Sequence, residues 1–126
     1  SGRAALKHHL KDIGIFPEAE ELDEIYQKFL DLADKKKDIT ILSPFKFSNS
    51  VASNLTKYKI CGVGESDDEI TYSTIQGFKG LENAVIILTD IQTYNKPDLM
   101  YVGMSRARNA LYIFETKHAK SYREKL

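Results

Sequence analysis

A chain of 126 residues is long enough for one hydrophobic core, and its 42% hydrophobic and 29% charged content is that of a folded globular domain. Eighteen basic residues balance eighteen acidic ones, which excludes a global basic field for nucleic acid or an anionic membrane and leaves only local patches. The lone Cys61 cannot close an internal disulfide, so a reducing, cytoplasmic setting is expected, and no uncharged run reaches the roughly 18 residues of a membrane span.

The opening Ser1-Gly2 reads as a remnant of excision, so the chain is expected to be a piece of a longer protein. Residues 3–12 predict a short helix that Gly14 terminates; the adjacent His8 and His9 cannot share a helix face as metal ligands and read as solvated. A second helix is expected over 17–36, with Leu22, Ile25, Tyr26, Phe29, Leu32 and Ala33 on one stripe. Its glutamates lie in the first turns and the lysines at 35–37 near its end, which complements the helix dipole.

After Asp38 the period changes. The β-branched Ile39-Thr40-Ile41-Leu42-Ser43 predicts a strand that Pro44 stops, followed by a helix over 47–57. Further strands are expected at 58–63, 70–74, 84–89 and 110–115, with a helix over 97–108 opened by Pro97 and a basic helix over 117–126. Runs such as Val85-Ile86-Ile87-Leu88 suit strands buried on both faces, and helices fall between most strands. The pattern predicts an α/β layer fold around a mainly parallel sheet.

Two stretches are dense in special residues. The turn Ser73-Thr74-Ile75-Gln76-Gly77-Phe78-Lys79-Gly80-Leu81-Glu82 carries two glycines, a cation, neutral polar groups and a carboxylate, a mixture that suits a phosphate- or sugar-bearing ligand as well as a plain solvated turn. No G-x-x-x-x-G-K-[ST] P-loop occurs, and Gly-Phe-Lys-Gly lacks the flanking helices of a KH loop. On a helix over 97–108, about 100° per residue puts Arg106 between Leu99 and Val102 on the apolar side and Arg108 opposite. An arginine facing a core must snorkel, pair with an internal carboxylate, or emerge into a cleft and meet an anion.

Thr74-Ile75-Gln76-Gly77-Phe78-Lys79-Gly80-Leu81-Glu82 before an apolar strand resembles motif V of the UvrD-like (superfamily 1) helicases. Tyr101-Val102-Gly103-Met104-Ser105-Arg106-Ala107 before Leu111-Tyr112-Ile113 resembles their motif VI, and Ile41-Leu42-Ser43-Pro44 is a fainter echo of motif IV. The resemblance covers about 39–115. It implies a second RecA-like domain over 39–126, a three-layer fold, preceded by N-terminal helices over 1–38 that act as a link or packing segment.

By this resemblance Arg106 is the catalytic arginine finger that reaches the γ-phosphate. Glu82 accepts from the nucleotide sugar, with Gly80 keeping the loop close. Thr74 and Gln76, with the cation Lys79, lie toward single-stranded DNA. The implied cofactors are ATP and Mg2+ in the full-length protein, with none bound by this fragment alone and no metal held by its own residues. The implied partners are single-stranded DNA and a missing first RecA-like domain, and no membrane. One departure is Pro44, where the family often carries a second phosphate-directed arginine; Lys46 lies nearby. The alternatives are a non-catalytic RecA-like module for nucleic acid or docking, and a stand-alone α/β protein with another phosphate ligand.

Overall fold

The computed structural model describes residues 35–55 and 58–125. Five strands form one sheet: β1 (Ile39–Ser43), β2 (Ile60–Gly62), β3 (Ile70–Thr74), β4 (Asn83–Ile91) and β5 (Ala107–Glu115). Their order is β2-β3-β1-β4-β5, and every pairing is parallel. The α/β class with a parallel sheet is therefore as expected. The central β1 is buried along its whole length, which is why its five residues are so uniformly apolar or small.

Alternate residues face opposite sides of the sheet. Leu42, Ile86, Leu88, Leu111 and Ile113 pack against Met100 and Met104 of α1 (Pro97–Met104) and Ala119 of α2 (Lys117–Glu124). On the other face Ile41, Ile70, Tyr72, Ile87, Tyr112 and Phe114 form a second core with Ala52. Gly103 allows α1 to approach closely, because a Cβ there would stand 3.0 Å from Leu88 Cδ2 and 3.4 Å from Ile75 Cγ2.

Three expectations need correction. The helix expected over 47–57 is two 3-10 turns, Phe47–Asn49 and Val51–Asn54. Serine and asparagine hydroxyls and amides compete there for backbone bonds: Ser50 Oγ accepts from the Ala52 amide, and Ser53 Oγ donates to the Ser50 carbonyl. The helix expected over 97–108 stops at Met104, since Asn83 donates to the Arg106 carbonyl and pairs with Ala107, drawing the chain into β5. For the same reason β4 and β5 are longer than expected, while β2 is shorter than 58–63. The helices expected over 3–12 and 17–36 lie outside the described residues, apart from Lys35, which is extended, and Lys36, which opens a 3-10 turn to Asp38.

The last helix is tied to the sheet by a largely buried polar cluster. Arg123 Nε and Nη2 donate to both oxygens of Glu115 at 2.8–3.0 Å, and the Tyr94 hydroxyl donates to the same carboxylate. Burial, then the Glu115 hydrogen bond, raises the Tyr94 phenol well above its ordinary value, so it stays neutral and donating. The carboxylate side chain is 5% exposed, so removing it takes a buried acceptor from both the guanidinium and the phenol. Glu115→Ala is expected to cost roughly 3 kcal/mol, read as a lower urea midpoint; an unchanged midpoint would show the cluster to be ornamental.

Candidate functional site

The turn between β3 and β4 is built from its glycines and hydroxyls. Thr74 Oγ1 accepts from the Gly77 amide at 3.0 Å and opens a 3-10 turn, Gln76–Phe78. A Cβ on Gly77 would sit 2.9 Å from Thr74 Oγ1 and from Ser73 Oγ, so that close approach requires glycine. At Gly80 the reason differs: a Cβ would meet nothing within 4 Å, but φ is +87°. Ile75 and Phe78 are buried against α1 and pin the turn down, leaving Gln76, Lys79 and Gly80 exposed.

The six residues singled out by sequence do not form one cluster. Thr74 pairs with Ser43 at the carboxyl edge of the sheet, whereas Glu82 immediately precedes β4 at the amino edge. Leu42 pairs with Leu88, so Thr74 stands near the level of Thr89, about six residues or roughly 20 Å along the strands from Asn83. Thr74 and Gln76 lie at one edge, Gly80, Glu82 and Arg106 toward the other, and Lys79 on the turn that connects them.

Arg106 is in the turn between α1 and β5 rather than on a helix, so the helical-face argument does not apply to it. Its half-buried guanidinium lies over the amino edge. Nε donates to the Val102 carbonyl at 3.2 Å, Nη2 to Ser105 Oγ at 3.1 Å, and Nη1 to the Leu81 carbonyl at 3.4 Å. Among the described residues it has no carboxylate partner. Of the three fates open to this arginine, an internal ion pair is not the one observed. Next to it, Glu82 Oε1 stands 3.8 Å from Arg108 Nη1, with both side chains more than half exposed, a screened pair of little stabilising value. The edge thus presents two guanidiniums and one carboxylate, a set able to take an anion and a hydroxyl donor together.

At the opposite, carboxyl edge, sequence reasoning singled out Thr74 and Gln76 but missed Asp90 and the crevice beside them. Successive connections leave β1 toward β2 and β4 toward β5, so the crevice beyond the carboxyl ends of β1 and β4 is the switch point where open α/β sheets hold ligands. A cavity of about 270 Å³ lies there, lined by Pro44, Phe45, Gln76, Asp90, Lys96 and Met100 among others. Asp90 adopts φ +61° and accepts from Ser43 Oγ at 2.6 Å, from Ser50 Oγ and from the Val51 amide at 3.0 Å. The one available signal was an aspartate closing an apolar strand, since aspartate tolerates the left-handed region; the crevice itself depends on strand order, which no local pattern reveals.

No family model matches the chain. Curated relatives are 2-isopropylmalate synthases: that of Parabacteroides distasonis is 62% identical over 39 residues (31% of this chain, 8% of the relative). That of Rhodopirellula baltica is 43% identical over 61 residues (44% and 12%), and that of Buchnera aphidicola subsp. Cinara cedri 34% over 122 residues (85% and 21%). The chain spans about a fifth or less of the length of these relatives, and identity falls as the matched stretch lengthens. Among solved structures, the C-terminal domain of a possible DNA helicase from Lactobacillus plantarum WCFS1 superposes with a TM-score of 0.58 at 15% identity, covering 92% of this chain and 84% of that one. That likeness shows a shared fold, consistent with a RecA-like sheet. Among the described residues no helix is long and apolar enough to cross a membrane.

The Asp90 clasp carries its own test. Asp90→Ala releases three donors at the end of β1 and in the turn that follows, and a loss of about 2 kcal/mol is expected. Amide exchange at Val51 should accelerate with it; unchanged exchange there would remove Asp90 as the organiser of this edge.

Proposed function

We propose that residues 39–126 are the second RecA-like domain of an ATP-dependent DNA helicase, supplying the arginine finger and part of the ATP and single-stranded DNA sites. The carrying observation is the amino edge, where the Arg106 guanidinium is held by neutral acceptors beside Glu82. Carbonyl acceptors are readily exchanged for phosphate oxygens, which form stronger, charge-assisted bonds. Arg106 would then stabilise the charge that develops on a transferring γ-phosphoryl group. Glu82 would accept from a sugar hydroxyl, and Gly80 would let the backbone come close. Thr74, Gln76 and Lys79 would face the DNA strand, so the turn that carries them would join the two sites through one short length of chain. The helicase fold likeness supports this reading, as do the motif-like stretches at 74–82 and 101–107, which lead into β4 and β5.

Among the described residues no group of three His, Cys, Asp or Glu side chains is arranged to hold a metal ion. ATP would be bound mainly by a first RecA-like domain, and the expected setting is the cytoplasm.

The identity to 2-isopropylmalate synthases favours a second reading, in which the chain is a piece of such an enzyme. We assign the strongest part of that similarity to a stretch outside the sheet. The 62% match, confined to 39 residues, is too short to cover a sheet running from Ile39 to Glu115, whereas the weaker 34% match over 122 residues reaches into it. On this assignment the RecA-like reading holds for 39–126 and says nothing of 1–38.

In the intact protein, Arg106→Ala should lower the maximal ATPase rate about a thousandfold or more with KM for ATP changed little. An equal loss of binding and rate would contradict a transition-state role. Glu82→Ala should instead raise KM for ATP about tenfold at a nearly unchanged maximal rate. Formation of 2-isopropylmalate without ATP turnover would favour the second reading.

A further inference from the structure

Beyond the switch-point crevice, the carboxyl edge carries a second cavity, of about 250 Å³, lined by Phe47, Ile60, Cys61, Gly62, Glu65 and Tyr72. We propose that this cavity receives one unstacked, amino-bearing base, cytosine, adenine or guanine, from the single strand. The proposal deepens the DNA side of the reading above and rests on it.

Phe47 is one of few large apolar side chains left open, at 40% exposure. It follows the tight segment Pro44–Lys46 and is braced edge-on by Tyr72, with ring centroids 5.0 Å apart at 73°. Tyr72 is itself held, its hydroxyl donating to the Phe45 carbonyl. An aromatic ring fixed from behind and open in front loses little freedom when a heterocycle stacks on it. Opposite the ring, the chain leaves β2 at Gly62 and folds back. The Gly62 amide donates to Glu65 Oε2 at 2.9 Å, and a Cβ on Gly62 would stand 2.9 Å from Oε1. The glycine is thus what allows this carboxylate to lie against the cavity wall. A carboxylate holding one amide retains acceptor capacity. It repels phosphate and accepts from an exocyclic amine, which cytosine, adenine and guanine present and thymine does not.

The two cavities are neighbours. Pro44 and Phe45 line the switch-point crevice and Phe47 lines this one, and two residues of chain separate their Cα atoms by at most about 7 Å. A strand lying over Gln76 and Lys96 at the crevice therefore reaches Phe47 with its next base.

The test is fluorescence anisotropy of the intact protein with labelled oligo-dC and oligo-dT of equal length. The wild-type protein should bind dC more tightly than dT. Phe47→Ala should weaken binding to both about tenfold or more, and Phe47→Tyr should preserve it. Glu65→Ala should erase the preference for dC while leaving dT binding equal or stronger. Full affinity in Phe47→Ala, or in Phe47→Leu, which keeps bulk but not the π-face, would overturn the proposal while leaving the DNA reading intact. So would an unchanged dC preference in Glu65→Ala. No binding of either oligonucleotide by the intact wild-type protein would overturn both together. Circular dichroism melts confirm that the variants are folded.

Discussion

The guanidinium of Arg106 joins two pieces of chain that are 25 residues apart. It donates to the Val102 carbonyl at the end of α1 and to the Leu81 carbonyl at the exit of the glycine turn. Those bonds, with the backbone bond from Asn83 to the Arg106 carbonyl, make the starts of β4 and β5 a single rim. Without them Glu82 and Arg106 would be neighbours only through strand pairing. With them, any shift of the turn at 75–82 is felt by the arginine, and the reverse.

The turn has a further property. It begins at the carboxyl edge with Thr74 and ends at the amino edge with Glu82, and its middle is anchored in the core by Ile75 and Phe78. A ligand pressing on Gln76 and one pulling on Arg106 would act on the two ends of one short, braced segment. That is the physical arrangement needed to couple two sites, because a packed segment transmits displacement rather than absorbing it. In the proposed helicase, nucleotide and DNA would be linked by this segment.

Much of the sheet is legible in the sequence because its strands are short apolar runs bounded by Pro, Gly or charge; β1 and β3 begin and end where their residues suggest. The ends of α1, β4 and β5 are not legible. Helical periodicity continues past Met104 into Arg106 and Arg108, and only the partner strand at Asn83 decides that these residues pair instead of coiling. The segment after Pro44 has helical spacing but a serine- and asparagine-rich composition, and the hydroxyls decide the outcome. Of the candidate site, the glycines at 77 and 80 and the arginine stand out in the sequence. Their division between two edges does not, because strand order, absent from any local pattern, sets which loop faces which way. Asp90, Phe47 and Glu65 are ordinary residues in sequence and acquire meaning only from what surrounds them.

The most direct measurement is a structure of the intact protein with a non-hydrolysable ATP analogue. The predicted result is a nucleotide seated against the amino edge, with the Arg106 guanidinium released from the Leu81 carbonyl onto the terminal phosphate and Glu82 on the sugar. A nucleotide bound elsewhere, with Arg106 still holding Leu81, would contradict it.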